Sequence, residues 1–292
     1  MPAPASVLVI GSVNQDITVR VQRFPAPGET LIGRSVAYAL GGKGANQAVA
    51  SARTGTPTAL LATVGDDPAG HQLRHWLAER GVDVSLVRAA RLPSGTAHIL
   101  VDDNGENQIV VVSGANAGTD ALWVDAAAEA VTSAAVVVLQ GEIPVAGIER
   151  AVGLGARTIL NLAPVVAVAP ETLAHVDILV VNEAEAEQLL GRTVSGDPWS
   201  AVDALAAIGG AAVLTLGAGG AVWAGDGRGH APAPSVVPVD TTGAGDAFVG
   251  VLAAAIARGQ TLEHAVHDGV RAASQSVLLP GAAMSYPAFE LT

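Results

Sequence analysis

Short, largely apolar runs recur along this chain, each separated from the next by a stretch of helical composition. Ser6 to Ile10, Ala59 to Val64, Ala134 to Leu139, Arg157 to Leu160, Ile178 to Val181 and Ala212 to Leu216 are such runs. Runs of this kind predict strands buried on both faces. Lys43 to Thr54, Pro68 to Arg80, Val145 to Leu154, Glu183 to Leu190 and Trp199 to Ile208 read as helices, with Asp67 placed to cap the second. Strand–helix alternation implies βαβ units, hence an α/β fold with a mostly parallel central sheet between two helical layers.

Two segments break that rhythm. Residues 12–40 hold the alternating stretch Ser12 to Val21 and the strand-like Thr30 to Leu40, with a Pro/Gly loop between them. Residues 94–113 hold Thr96 to Val101 and Gln108 to Val112, a hairpin across the turn Asp102 to Asn107; Asp83 to Ala89 is a further strand candidate. These insertions predict a small β-sheet over the carboxyl ends of the main strands, where open α/β sheets bind ligands, and so a lid. With no repeat, linker or composition shift, residues 1–292 are expected to form one domain.

Composition removes several classes of function. A net charge of −12 argues against a nucleic-acid surface, which needs clustered Lys and Arg. Without cysteine, disulfides, thiol catalysis and zinc–thiolate sites are excluded. No run approaches the eighteen or so apolar residues of a membrane span, and Met1 to Ser6 lack the basic residue of a secretory signal. The expectation is a cytoplasmic protein with no membrane partner.

Polar residues that a plain α/β core does not need gather in five places. At Asp240-Thr241-Thr242-Gly243-Ala244-Gly245-Asp246 a glycine turn feeds the alanine-rich segment Ala247 to Ala257, a predicted helix whose free N–H groups attract anions. Asp246 is a carboxylate where anions bind, so it is either a helix cap or a group that takes a proton from a substrate. Gly41-Gly42-Lys43-Gly44-Ala45-Asn46 is a second glycine turn opening a helix, and Lys43 is the only lysine beside fourteen arginines. It departs from the Walker A pattern, because no Ser or Thr follows the lysine in the required place. Asn14 and Asp16 share one strand face, which suits either a polyol or plain surface polarity. Asn182 and Glu185 fit a helix capping box, or a hydrated Mg²⁺ near phosphates. Thr215-Leu216-Gly217-Ala218-Gly219-Gly220 either cradles a nucleotide or simply turns into the strand Ala221 to Ala224. The first strand is not followed by Gly-x-Gly-x-x-Gly, and no Gly-x-Ser-x-Gly elbow occurs, which disfavours dinucleotide oxidoreductases and hydrolases.

Gly41-Gly42-Lys43-Gly44-Ala45-Asn46-Gln47-Ala48 resembles the N-terminal signature of the ribokinase family, the PfkB-type carbohydrate kinases. Asp240 to Asp246 resembles the family's C-terminal signature, and Asn182-x-x-Glu185 matches its magnesium-associated motif. Gly11-Ser12-Val13-Asn14-Gln15-Asp16 and Pro27-Gly28-Glu29-Thr30 are similar to its ribokinase branch, and the similarity runs essentially end to end.

The resemblance implies a ribokinase-like three-layer sandwich with a small β-sheet lid, and ATP-dependent phosphorylation of a sugar's primary hydroxyl, D-ribose first. Asp246 would be the general base, with Gly243, Ala244 and Gly245 supplying amides to the transferred phosphate. Asn14, Asp16, Gly42, Lys43, Asn46 and Glu142 match sugar-binding positions. Thr215, Gly217 and Gly220 match the nucleotide loop, with Asn182 and Gly245 also on the nucleotide side and Glu185 holding Mg²⁺ through water. Asp240 and the Thr242 carbonyl match a potassium site completed near Val277, Gly281 and Ser285. A homodimer through the lid is a family expectation. Where family members often place an Asn beside the adenine, this chain reads Gly269-Val270-Arg271, and no basic residue precedes Gly281. Deoxyribose, a ketose or a nucleoside is the alternative substrate, although nine aromatics leave little wall for a nucleobase in the acceptor site. The alternative outside enzymes is a sugar-binding regulator, which would have no use for the Asp246 carboxylate.

Overall fold

The computed structural model describes residues 6–194 and 196–292. The opening stretch bearing on a targeting signal lies outside them apart from Ser6. The chain begins with β1 (Val7–Ile10), whose Val7 and Val9 enter one hydrophobic core while Leu8 and Ile10 enter another. It then forms β2 (Asn14–Arg20), β3 (Ser35–Gly41), α1 (Lys43–Ala52), β4 (Thr58–Gly65) and α2 (Pro68–Glu79). After β5 (Val87–Ala90), β6 (Gly95–Val101) and β7 (Asn107–Val112), the short helices α3 (Ala121–Ala126) and α4 (Ala128–Ser133) follow. Next come β8 (Val136–Gln140), α5 (Val145–Gly153), β9 (Thr158–Asn161), α6 (Pro170–Leu173), β10 (Ile178–Asn182), α7 (Glu183–Leu190), α8 (Pro198–Ala206) and β11 (Ala211–Thr215). β12 (Ala221–Gly225), β13 (Gly227–Ala231), α9 (Ala244–Ala257) and α10 (Leu262–Ser276) complete the order.

Nine strands form the main sheet in the order β13-β12-β11-β10-β9-β8-β1-β4-β5, parallel except where β12 and β13 turn back. Both faces are covered, which is why these strands read as unbroken apolar runs rather than alternating ones. On one side α9 packs between α1 and α10, and every residue from Asp246 to Ala257 is buried. A helix that is apolar all round is stable only in such a place. The second sheet has the order β3-β2-β6-β7, antiparallel in its hairpins and parallel between β2 and β6. Among the described residues no helix is long and apolar enough to cross a membrane.

Local chemistry sets the helix starts. Asp67 accepts the Gly70 N–H at 2.7 Å with Pro68 in the first turn, as the sequence predicts. Two expectations change, and one strand was not foreseen. Thr30 to Arg34 is irregular and only Ser35–Gly41 pairs, with the Arg34 N–H turned onto the Arg20 carbonyl. Asp83 makes an isolated bridge to Ala59, and the strand begins only at Val87. β13 reads Gly-Arg-Gly-His-Ala; it pairs with β12 through its backbone and carries no apolar pattern to reveal it.

Candidate active site

The carboxyl ends of β1, β8, β9 and β10 converge on the start of α9. Gly243 caps that helix with φ +75°, and a Cβ there would lie 2.5 Å from the Tyr286 hydroxyl and 2.6 Å from the Ala282 methyl. Glycine is therefore required for both conformation and space. The Ala244 N–H closes the turn onto the Thr241 carbonyl at 3.2 Å, and the Tyr286 hydroxyl donates to the Gly243 carbonyl at 2.6 Å. The N–H groups of Gly243 and Gly245 engage no acceptor among the described residues. Of the three expected amide donors, two are open and Ala244 is engaged within the turn.

Asp246 is buried, and each of its oxygens takes an amide N–H from α1. Asn46 Nδ2 donates to Oδ2 and Gln47 Nε2 to Oδ1, both at 2.9 Å. The sequence assigned Asn46 to the sugar; its nitrogen is engaged by Asp246, while its Oδ1 is buried without a partner. Ser12 Oγ donates to Glu142 Oε2 at 2.5 Å, and the Lys43 N–H reaches the same oxygen at 3.0 Å. Asn14 is held by Asn116, whose Nδ2 donates to Asn14 Oδ1 at 2.7 Å while its Oδ1 accepts the Val13 N–H at 2.8 Å. That leaves Asn14 Nδ2 as the free donor.

Charge is concentrated around one cation. Burial, then Glu142 and Asp246, push the Asp16 carboxyl up to about 7. The Asp246 carboxylate raises the Lys43 ammonium against the effect of burial, with Glu142 and Glu185 adding to it. Among the described residues Lys43 enters no ion pair, so its ammonium remains available.

Two neighbouring cavities open here. The larger, about 540 Å³, is lined by Thr215, Gly217 and Gly220 together with Phe248, Val270 and Ala273. The smaller, about 210 Å³, is lined by Lys43, Asn182, Glu185, Gly243 and Asp246. Thr215, Thr241, Ala244 and Gly245 line both. Where an Asn was expected beside a base, α10 offers Val270, and Arg271 turns away to Asp268 and Thr292. Asn182 and Glu185 do form a capping box, at 2.9 and 2.8 Å. Burial nevertheless raises the Glu185 carboxyl, against the Asn182 N–H and Lys43. Asp240 Oδ1 accepts the Thr242 N–H at 2.9 Å and Oδ2 the Gly281 N–H at 2.8 Å, tying the glycine turn to the C-terminal loop. The Val277 carbonyl already accepts two amides, from Val239 and Asp240, and Ser285 Oγ donates to the Ala282 carbonyl.

Sequence reasoning passed over Gln47, Gln140, Asn161 and Asn116, although two of them carried a signal. Gln140 and Asn161 are each the polar residue that directly follows an apolar strand run, at the ligand-binding end of the sheet.

A buried carboxylate, open helix-start amides and a lone lysine gather at the carboxyl ends of the sheet beside a larger cavity, a set that suits a phosphotransferase acting on an alcohol. Residues 4–288 match the model of the pfkB family carbohydrate kinases, and the chain belongs to that family. It is 37% identical over 289 residues to a ribokinase of Bacillus subtilis, covering 97% of this chain and 96% of the relative. It is also 33% identical over 300 residues to a deoxyribokinase of Salmonella typhi, with 97% and 96% covered. Its fold matches the structure of Arabidopsis thaliana ribokinase complexed with ribose and ATP at a TM-score of 0.90 and 32% identity, over 98% and 96% of the two chains.

Proposed function

We propose that this enzyme transfers the γ-phosphoryl group of ATP to the primary hydroxyl of D-ribose, giving the 5-phosphate. The observation that carries the reading is that Asp246 and Lys43 line a small cavity whose wall of Thr215, Thr241, Ala244 and Gly245 is shared with a larger one. A nucleotide in the larger cavity would present its terminal phosphate at that shared wall. Phe248, Val270 and Ala273 give the base an apolar seat, and Gly217 and Gly220 let its phosphates approach the main chain.

On the acceptor side the sugar hydroxyls would meet Asn14 Nδ2, the Asp16 carboxyl, Asn46, the Lys43 ammonium and Glu142, with Gly42 letting its turn pack against the Ser12 and Asn14 backbone. Asp246 accepts the proton of the primary hydroxyl and holds its oxygen in line with the phosphorus. The amides of Gly243 and Gly245 face the charge that develops on the phosphoryl oxygens, and such donors are typically worth about 3–4 kcal/mol each. Lys43 offsets the negative charge that gathers between the two substrates.

The residues present also suit two cations. Glu185 has one oxygen outside its capping box and lines the smaller cavity together with Asp246, a place that would suit a hydrated Mg²⁺. Asp240, whose oxygens tie the Thr242 and Gly281 amides together, would hold K⁺ with oxygens of Thr242, Gly281 and Ser285, whereas the Val277 carbonyl has both lone pairs engaged. When bound, Mg²⁺ neutralises phosphate charge and K⁺ orders the glycine turn.

A coupled ADP-release assay over ribose, 2-deoxyribose, ketoses and nucleosides, with and without K⁺, tests the reading. Ribose is expected to turn over fastest; no turnover on any acceptor would sink the kinase reading in favour of a sugar-binding regulator. The resemblance to a deoxyribokinase favours 2-deoxyribose as the second reading, and faster turnover on it would replace ribose. The half-exposed Val36, Tyr38, Val110 and Val112, which share one face of the small sheet, support a homodimer through that sheet. Val110→Glu is expected to yield a monomer in light scattering.

A further inference from the structure

The proposed chemistry leaves Gln47 without a role, yet this residue is fully buried where α1, α9 and the ends of β8 and β9 meet. Its Nε2 donates to Asp246 Oδ1 at 2.9 Å and to Asn161 Oδ1 at 3.0 Å, and its Oε1 accepts from Gln140 Nε2 at 2.8 Å. Both hydrogens and the carbonyl are thus used, in one amide orientation only. Turned over, Oε1 would face the oxygens of Asp246 and Asn161. Asn161 cannot turn to compensate, because its Nδ2 is committed to the Val180 carbonyl at 3.1 Å.

We infer that Gln47, braced by Gln140, is a positioning residue that fixes the plane of the Asp246 carboxylate, an inference that rests on the kinase reading. The terminal torsion of an aspartate is broad, so a carboxylate on the first turn of a helix needs outside contacts to hold one plane. Consecutive residues of α1, Asn46 and Gln47, grip its two oxygens. Each oxygen keeps a free lone pair for a hydroxyl. The brace has a cost: Gln140 Oε1 is buried with no partner. A small misplacement of the accepting oxygen slows in-line attack far more than it weakens sugar binding.

The test pairs two variants. Gln47→Met keeps the volume and removes the donors, and kcat is expected to fall roughly 10–100-fold with sugar KM changed less than about threefold. Gln47→Glu restores the shape but donates only when protonated, so its activity should rise on acidification while that of the wild type does not. Lys43, Asp16, Glu185 and Tyr286 face the same carboxylate and are unchanged in both. A folded Gln47→Met enzyme with kcat within twofold of wild type, or a loss confined to KM, overturns the inference. If that variant does not fold, Gln140→Met carries the same test at about threefold to tenfold in kcat. A thermal double-mutant cycle of Gln47→Met with Asp246→Asn is read without substrate, so it decides the brace even if no sugar is turned over. Non-additive Tm losses support it, and additive losses overturn it.

Discussion

The two glycine turns that open α1 and α9 look alike in sequence and differ in what fills them. At α1 the N–H of Lys43 is taken by Glu142, that of Gly44 by Ser12 Oγ at 3.4 Å and that of Ala45 by the Ser12 carbonyl at 2.9 Å. At α9 the amides of Gly243 and Gly245 are left open. A glycine-led helix start is therefore an anion site only where the chain does not supply its own acceptors. On the proposed reading the first turn, closed around a carboxylate, would serve the acceptor sugar, and the second, left open, would serve phosphate.

That contrast breaks first at Asp246, where the two turns meet. Asp246→Asn is expected to lower kcat by about 10²–10⁴-fold while sugar affinity by calorimetry stays within a few-fold. An active Asn variant would remove Asp246 from its role. The next effect separates the turns themselves. Gly243→Ala forces a methyl onto Tyr286 and Ala282 at positive φ, which displaces the open amides, so kcat should fall about 10²–10³-fold. Gly42→Ala is also strained, at φ +89° with a Cβ 2.9 Å from Asn14 N and the Ser12 carbonyl. Its cost should fall mainly on sugar KM. If both variants lost the same parameter, the division of labour between the turns would be wrong.

A smaller effect tests why α1 is closed. Glu142→Ala removes the acceptor of Ser12 Oγ and of the Lys43 N–H together. Sugar KM is expected to rise roughly 10–100-fold, the range for losing hydrogen bonds to a charged group. The freed helix start should also make the enzyme sensitive to sulfate, competitively with sugar. Steady-state kinetics with and without sulfate checks both.

How much of this was readable beforehand follows the physics of each part. The main sheet was legible because burial on both faces writes itself as apolar runs, down to Leu8 and Leu139. Asp67 and Asn182 were legible as caps because capping is local. Asn116 was not, because it meets Asn14 across 102 positions; the strand-end places of Gln140 and Asn161 were visible, but not their meeting with Gln47 across 93 and 114 positions. The closure of α1 was equally hidden, since Glu142 lies 99 positions from Lys43. Local signals gave the elements and the glycine turn proposed to bind phosphate. The division between two similar turns is a tertiary fact.

The smallest expected effect concerns stability and comes from the carboxylates that crowd the closed turn. Asp16 is pushed from 3.8 up to about 7 by burial, then by Glu142 and Asp246. Below about pH 4 the native and unfolded chains both hold this proton, and the group contributes nothing to the difference. Between about pH 4 and 7 the unfolded chain releases the proton while the native chain keeps it, so stability falls as pH rises. Above about 7 the native carboxyl ionises too, and the full penalty persists. Asp16→Asn removes that penalty and should weaken sugar binding. The variant should melt a few degrees above wild type near pH 8 and level with it near pH 4, as thermal scans at the two pH values would show. The same offset at both would mean that Asp16 keeps its ordinary titration and that the closed turn carries no charge strain.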